Sequence, residues 1–264
     1  MKINFLKIGG SVITDKNRPL TVKLDAIDAI AASVARYQKQ SDCGLVIGNG
    51  GGSFGHYHAS LYKQADGSVY TDYHAAIIHQ SVTHLNDLVV QALLKNGITV
   101  MSLPAVSYLK FEGATLASTS KIIHGLLARG IVVSVYGDVA PASDGFRVVS
   151  TESLFVHIAN HLKKHNELAS CILATNVPGV LDDRSEVIPH LSSLDGNTDK
   201  AAFDVTGGMV SKVASAQELS KLFSSVRIVD GRRPTIVCEA LNGAEHGTNV
   251  HSASSGRNKP RLYS

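Results

Sequence analysis

Only three cysteines occur in 264 residues, Cys43, Cys171 and Cys238, and no two of them share a metal-ligand spacing. That scarcity argues against a disulfide framework or a zinc site and fits a reducing, cytoplasmic setting; all three lie in or beside apolar runs, as small core residues do. Long apolar runs are missing too. No stretch reaches the roughly 18 residues of a membrane helix, and Lys7 interrupts the apolar start "MKINFLKIGG", which is too short for a signal peptide. Charge of one sign is not concentrated: the net +3 is spread along the chain, and the one dense basic stretch, "SGRNKPRLYS", is a short tail of the kind that frays. Neither a nucleic-acid nor a membrane partner is expected on that balance. There is no internal repeat and no low-complexity linker, so nothing marks a sharp domain boundary.

What is present is an alternation. Short β-branched runs, "INFLKIG", "CGLVIG", "TVMSLPA", "IVVSVYG", "SCILAT" and "SVRIVDG", are separated by segments such as "KLDAIDAIAASVARYQ", "AAIIHQSVTHLNDLVVQALLKNG" and "TESLFVHIANHLKKH". These place apolar residues three and four apart, as amphipathic helices do. The pattern predicts strands joined by helical crossovers into a largely parallel sheet, with helix stops at Asn96-Gly97 and Arg129-Gly130. Glycines fall at the strand ends, at Gly9, Gly10, Gly48, Gly50 to Gly52, Gly137, Gly179 and Gly231. Open α/β sheets bind ligands at the carboxyl ends of their strands, so several of these turns could face one crevice.

The stretch "GNGGGSFGH", residues 48 to 56, holds five glycines. Such a turn lets the backbone approach an oxyanion and turn N–H groups toward it, and a helix starting near Phe54 to His58 would add its positive amino end. His56 would stand beside the anion as a hydrogen-bond donor. Taken alone, the glycines fit a tight strand-to-helix turn with an exposed histidine equally well. Their spacing is neither the dinucleotide fingerprint nor a Walker loop. Lys7 sits inside an apolar strand, where burial is costly unless it meets an anion. Lys16 follows the Gly9-Gly10 turn, and Lys212 follows Gly207-Gly208 in "FDVTGGMVSKV". Each lysine alone fits a solvated surface charge, but three beside paired-glycine turns are the parts that phosphoryl transfer requires.

Together, "LKIGGSVITDK", "GNGGGSFGH", "YGDV" and "DVTGGMVSK" resemble the amino-acid kinase family, in the family's order and over nearly the whole chain, and within it the isopentenyl phosphate kinase branch. Fosfomycin kinase is a near relative. The resemblance implies a three-layer αβα sandwich with a mainly parallel central sheet, one domain over residues 1–264 with an acceptor lobe at 1–170 and a nucleotide lobe at 171–264. It implies ATP and Mg2+ as cofactors, a small phosphate acceptor, a homodimer, and phosphorylation of isopentenyl phosphate in an alternative mevalonate route. By position, Lys7, Lys16, His56, Glu152 and Lys212 would be catalytic. Gly9, Gly10, Ser11, Asp138, Thr175, Asn176, Gly179, Gly207 and Gly208 would meet the nucleotide. Gly51, Gly52, Ser53, Gly55 and His56 would hold the acceptor phosphate, and no residue is assigned to a metal.

Two positions depart from the family pattern. Glu152 stands where an aspartate usually orients the lysines, and "ATNVPGVLDD" replaces a Thr-Asp-Val-Asp-Gly turn, putting Asn176 and Pro178 in place of both acids. An apolar acceptor tail could be lined by Ile77, Ile78, Val82 or Leu85, each of which fits a helix core as well. His74, His79 and His84 lie five apart, off a common helix face, and read as surface histidines. The alternatives are a kinase of the same fold acting on fosfomycin or another small phosphonate or phosphate, and a non-catalytic nucleotide- or oxyanion-binding member.

Overall fold

The computed structural model describes residues 1–62, 69–112, 115–118, 121–192 and 207–252. The first half of the chain forms β1 (Lys2–Ile8), α1 (Gly10–Ile13), α2 (Leu24–Gln38), β2 (Gly44–Asn49), α3 (Gly52–Leu61), α4 (Asp72–Lys95), β3 (Val100–Ser102), β4 (Leu109–Glu112) and β5 (Thr115–Ser118). Then come α5 (Lys121–Leu127), β6 (Val132–Tyr136), β7 (Asp138–Ala142), β8 (Gly145–Val149), α6 (Thr151–Leu162) and β9 (Glu167–Thr175). The last elements are β10 (His190–Leu191), α7 (Gly207–Ser220), β11 (Ser225–Asp230), α8 (Pro234–Leu241) and β12 (Thr248–Val250). The basic tail from Ser255 and the stretch 203–206 lie outside the described residues.

One eight-stranded sheet, ordered β10-β12-β11-β9-β1-β2-β6-β3, carries the fold. The six strands expected from the sequence are its six parallel members, and β12 runs antiparallel to β11. Side chains alternate across β1. Ile3 and Phe5 face α6 and α7, where the Phe5 ring meets Phe155 and Phe223 edge-on at 4.8 and 4.9 Å. Leu6 and Ile8 face α2, α4 and α8. Two buried layers on opposite faces of one sheet make the αβα sandwich. Gly97 and Gly130 take φ of +79° and +73° just past α4 and α5, as helix-ending glycines do.

From β1 the chain crosses to β2 on one side, and β9 later returns on the other, so the order reverses at β1. A crevice outside the carboxyl ends of β1, β2 and β9 follows from that reversal. Cys171 and Cys238 are buried, whereas Cys43 is half-buried at the start of β2.

Candidate active site

Strand parity places Lys7 on the same face as Phe5, one residue from the carboxyl end of β1, and therefore beneath the start of α6. Its neighbour in β2, Gly48, leaves room there: a Cβ at Gly48 would lie 2.7 Å from the Phe155 ring and would collide with Thr151. Ser150 caps α6 by accepting the Ser153 N–H at 3.0 Å, and Thr151 donates to the Asn49 carbonyl at 2.8 Å. The first bond closes the first turn of α6, the second fixes that turn against the end of β2, and together they set Glu152 over Lys7, with which it forms a buried ion pair. A lysine inside an apolar strand is thereby paired with a carboxylate. Glutamate at this position does reach the lysine.

The glycine turns at the ends of β1 and β2 pack backbone to backbone. A Cβ on Gly10 would sit 2.5 Å from the Gly52 Cα, and Gly52 has φ +50° with Thr14 against it. Thr14 accepts the Ser53 N–H at 3.0 Å and donates to the Gly10 carbonyl at 2.7 Å, stitching the turns together. Ser53 is thus spent on structure: its hydroxyl also accepts the Thr21 N–H at 3.3 Å. Helix α3 begins at Gly52, two residues before the expected region, so His56 lies in its second turn.

A cavity of about 330 Å³ opens beside these turns. It is lined by Gly50, Gly51, Gly55, His56, Lys7, Lys16, Lys212, Glu152, Ser150, Thr151, Ser211, Gly137 and Asp138, together with an apolar set of Ala59, Ile78, Val82, Val148 and Val149. All five residues expected to be catalytic meet here. Desolvation, then the charge of Lys16 and Lys7, lowers the His56 imidazole below its ordinary range. The same causes, opposed by Glu152, lower the Lys212 ammonium. Three lysines stand against Glu152, while the second carboxylate of the lining, Asp138, is engaged with His79, so the site favours an anion.

At the other end of the Gly9-Gly10 turn, Gly9 donates to the Ala174 carbonyl at 2.8 Å, and a Cβ there would strike that same oxygen at 2.8 Å. Ser11 donates to the Asn176 side-chain oxygen at 3.1 Å, and Thr175 contacts the same atom at 3.4 Å. Gly207 and Gly208 open α7. Gly179 lets its turn approach β12, where Thr248 Oγ1 accepts the Val180 N–H at 2.8 Å.

Two sequence readings need correction. His79 and His74 are partly exposed but not free surface side chains: the His79 Nδ1 lies 2.9 Å from the buried carboxylate of Asp138, and the His74 ring stacks on Tyr62 at 4.4 Å. Leu85 is buried among α2 and α4 side chains, and the cavity is lined from α4 by Ile78 and Val82 alone of the four apolar candidates. The Asp138 carboxylate faces His79, and its residue borders the cavity of His56. Val148 and Val149, which also line the cavity, were missed; they belong to the β7–β8 hairpin, too short and mixed in pattern to announce itself.

Residues 2–230 match the amino acid kinase family. The chain is 30% identical to an isopentenyl phosphate kinase of Methanothermobacter thermautotrophicus, covering 93% of this chain and 97% of that protein. It is 33% identical to the enzyme of the same name from Haloferax volcanii over 81% and 86% of the two chains. A solved isopentenyl phosphate kinase structure superposes with a TM-score of 0.79 at 26% identity, covering 94% of this chain and 99% of that one. A family match over most of the length, joined to a lysine-lined cavity at the reversal point of a parallel sheet, leaves one assignment: the chain belongs to the amino acid kinase family.

Proposed function

We propose that this protein transfers the γ-phosphoryl group of ATP to isopentenyl phosphate, giving isopentenyl diphosphate and ADP. The carrying observation is a single cavity that joins three lysines and His56 to an apolar wall of Ala59, Ile78, Val82, Val148 and Val149. A phosphate monoester with a short hydrocarbon tail matches both parts. A small polar phosphonate matches only the first.

In this reading an oxygen of the acceptor phosphate attacks the γ-phosphorus as the bond to the bridging oxygen of ADP breaks, in line and without a covalent enzyme intermediate. Lys7 and Lys212 neutralise charge on the migrating group, Glu152 fixes Lys7, and Lys16 meets the ATP phosphates. The Gly50 to Gly52 backbone and His56 hold the acceptor phosphate. Gly9, Gly10 and Ser11 approach the nucleotide, with Thr175 and Asn176 across from them. Among the described residues no group of three or more His, Cys, Asp or Glu side chains is placed to hold a metal ion. In this reading Mg2+ would arrive on the nucleotide phosphates, where it would screen their charge.

The same reading takes residues 1–170 as the acceptor half and 171–264 as the nucleotide half, and expects a homodimer in the cytoplasm. No helix among the described residues is long and apolar enough to cross a membrane. The test is ADP release from ATP and Mg2+ with isopentenyl phosphate, dimethylallyl phosphate and fosfomycin side by side. Selective turnover of the isoprenoid phosphates is expected; turnover of fosfomycin alone, or none with any of the three, overturns the assignment.

A further inference from the structure

The carboxylate of Asp138 is fully buried, a costly place for a charge unless it is paired and hydrogen-bonded. His79 answers it, with Nδ1 at 2.9 Å from one oxygen and 3.1 Å from the other. A carboxylate only accepts, so Nδ1 carries the proton and donates it. Two phenols stand nearby and leave that role to His79: the Tyr108 hydroxyl is buried without a partner, and the Tyr136 hydroxyl is engaged with Thr83 at 2.9 Å. Burial, and behind it the charge of Asp138, pushes Tyr108 far up and Tyr136 to about 12, so neither changes charge where a histidine titrates.

The pair joins two walls of the acceptor cavity. On α4, His79 follows Ile78 and precedes Val82 by three residues, and both of those line the cavity. On the other side, Asp138 opens β7 directly after Gly137, and both border the same space. We propose that His79 is a positioning residue: through Asp138 it ties α4 to the start of β7 and so sets the width of the acceptor site without touching the acceptor. The inference rests on the reading of this cavity as the acceptor site.

The tie depends on pH. The hydrogen bond to Asp138, with its charge, raises His79 above the ordinary imidazole value against the opposing effect of burial. A raised histidine is charged below about pH 6.5 and loses that charge as the pH climbs through its raised value, while the neutral ring keeps its Nδ1–H bond to Asp138. Only the charge part of the tie is lost, so the acceptor KM rises modestly, about two- to threefold, on the alkaline side while kcat holds.

The experiment compares the wild type with His79→Gln, which can still donate to Asp138 but does not titrate, and His79→Leu, which can do neither. Steady-state kinetics with isopentenyl phosphate and ATP from pH 6 to 9 should give His79→Leu an acceptor KM about tenfold higher at pH 6.5, with kcat and the ATP KM within about twofold. His79→Gln should keep most of the acceptor affinity and lack the alkaline rise. An acceptor KM unchanged in His79→Leu, an alkaline rise retained in His79→Gln, or an equal loss of kcat and both KM values in the two variants would overturn the proposal. Wild type inert toward isopentenyl phosphate would instead sink the acceptor reading. The tie would then stand or fall on the proton-NMR titration of the His79 ring: a midpoint unmoved by Asp138→Asn sinks it.

Discussion

Gly10→Ala tests whether the two glycine turns must touch. The added Cβ would lie 2.5 Å from the Gly52 Cα and 3.0 Å from the Gly50 carbonyl oxygen, where ordinary contact begins at 3.4 Å. The shortfall to Gly52 is 3.4 − 2.5, or about 0.9 Å, and the obstructing atoms are backbone, which cannot rotate away. Gly52 has no retreat either, since its φ is +50° and Thr14 is packed against it. Overpacking of this kind costs about 1–3 kcal/mol, a fall in melting temperature on the order of 5 °C for a chain of this size. Catalysis should suffer more if the proposed site is right, because parting the turns by about 1 Å displaces both glycine turns relative to the lysines, worth about 10²-fold in turnover. The matched control is Gly125→Ala on α5, where a Cβ meets nothing within 4 Å. That change should stabilise by about 0.5–1 kcal/mol through helix propensity and leave turnover alone. The assays are thermal melts and ADP release on both variants. A Gly10→Ala enzyme with an unshifted melt and more than a third of normal turnover would refute the argument.

Glu152→Gln strips a nine-tenths-buried lysine of its carboxylate, and breaking such a pair costs about 3–5 kcal/mol; the melt of the free protein should fall accordingly, and saturating ATP should recover much of the loss by supplying phosphate charge to Lys7. A fall that ATP leaves untouched would mean Lys7 does not face the nucleotide. Lys212→Met should lower kcat by about 10²–10³-fold with the acceptor KM nearly constant, as expected for charge supplied to the migrating group; a change confined to KM would reassign it to binding. His56 is held below its ordinary value by burial, Lys16 and Lys7, and a bound phosphate should raise it. Acceptor binding then takes up a proton, so affinity gains as pH falls through the bound-state value and levels off below the free-state value. The His56→Gln variant should lack this slope while sharing the acceptor's own ionisation, and superimposable pH profiles would remove His56 from the site.

The layers of the fold were legible because β1, β2, β6, β9 and β11 are each buried on both faces and therefore read as continuous apolar runs. Lys7 was legible for the opposite reason: one charge in such a run has to be explained. What the sequence hid is non-local. Nothing adjacent to Glu152 shows that Thr151 will lock its helix onto Asn49, about a hundred residues earlier, and the one trace of it is Gly48, whose bareness makes sense only once Thr151 and Phe155 are above it. His79 was misread because helix periodicity compares a residue with its own helix, and its partner lies on β7. The short β7–β8 hairpin is held by pairing of Asp138 with Val149 and its neighbours, which no local pattern announces.

Charge balance connects these features to phosphate chemistry. Lys7, Lys16 and Lys212 share the cavity with Glu152 and with Asp138, whose carboxylate is engaged by His79, so the free site carries an excess of positive charge, and the lowered Lys212 and His56 register desolvation together with that repulsion. Glu152 cannot relieve it for all three, because it is committed to Lys7. The repulsion is present before substrate arrives and is relieved by negative charge entering between the lysines. In the transition state of phosphoryl transfer, that charge is spread over the equatorial oxygens of the migrating group. An array fixed in advance by strand, helix cap and packed glycine turns does not have to reorganise as the charge moves, and that is the condition under which electrostatic stabilisation favours the transition state over the bound substrates. On the proposed reading, the rigid Gly10–Gly52 contact and the buried Lys7–Glu152 pair therefore serve the same end: they hold the positive charge where the phosphoryl group would pass.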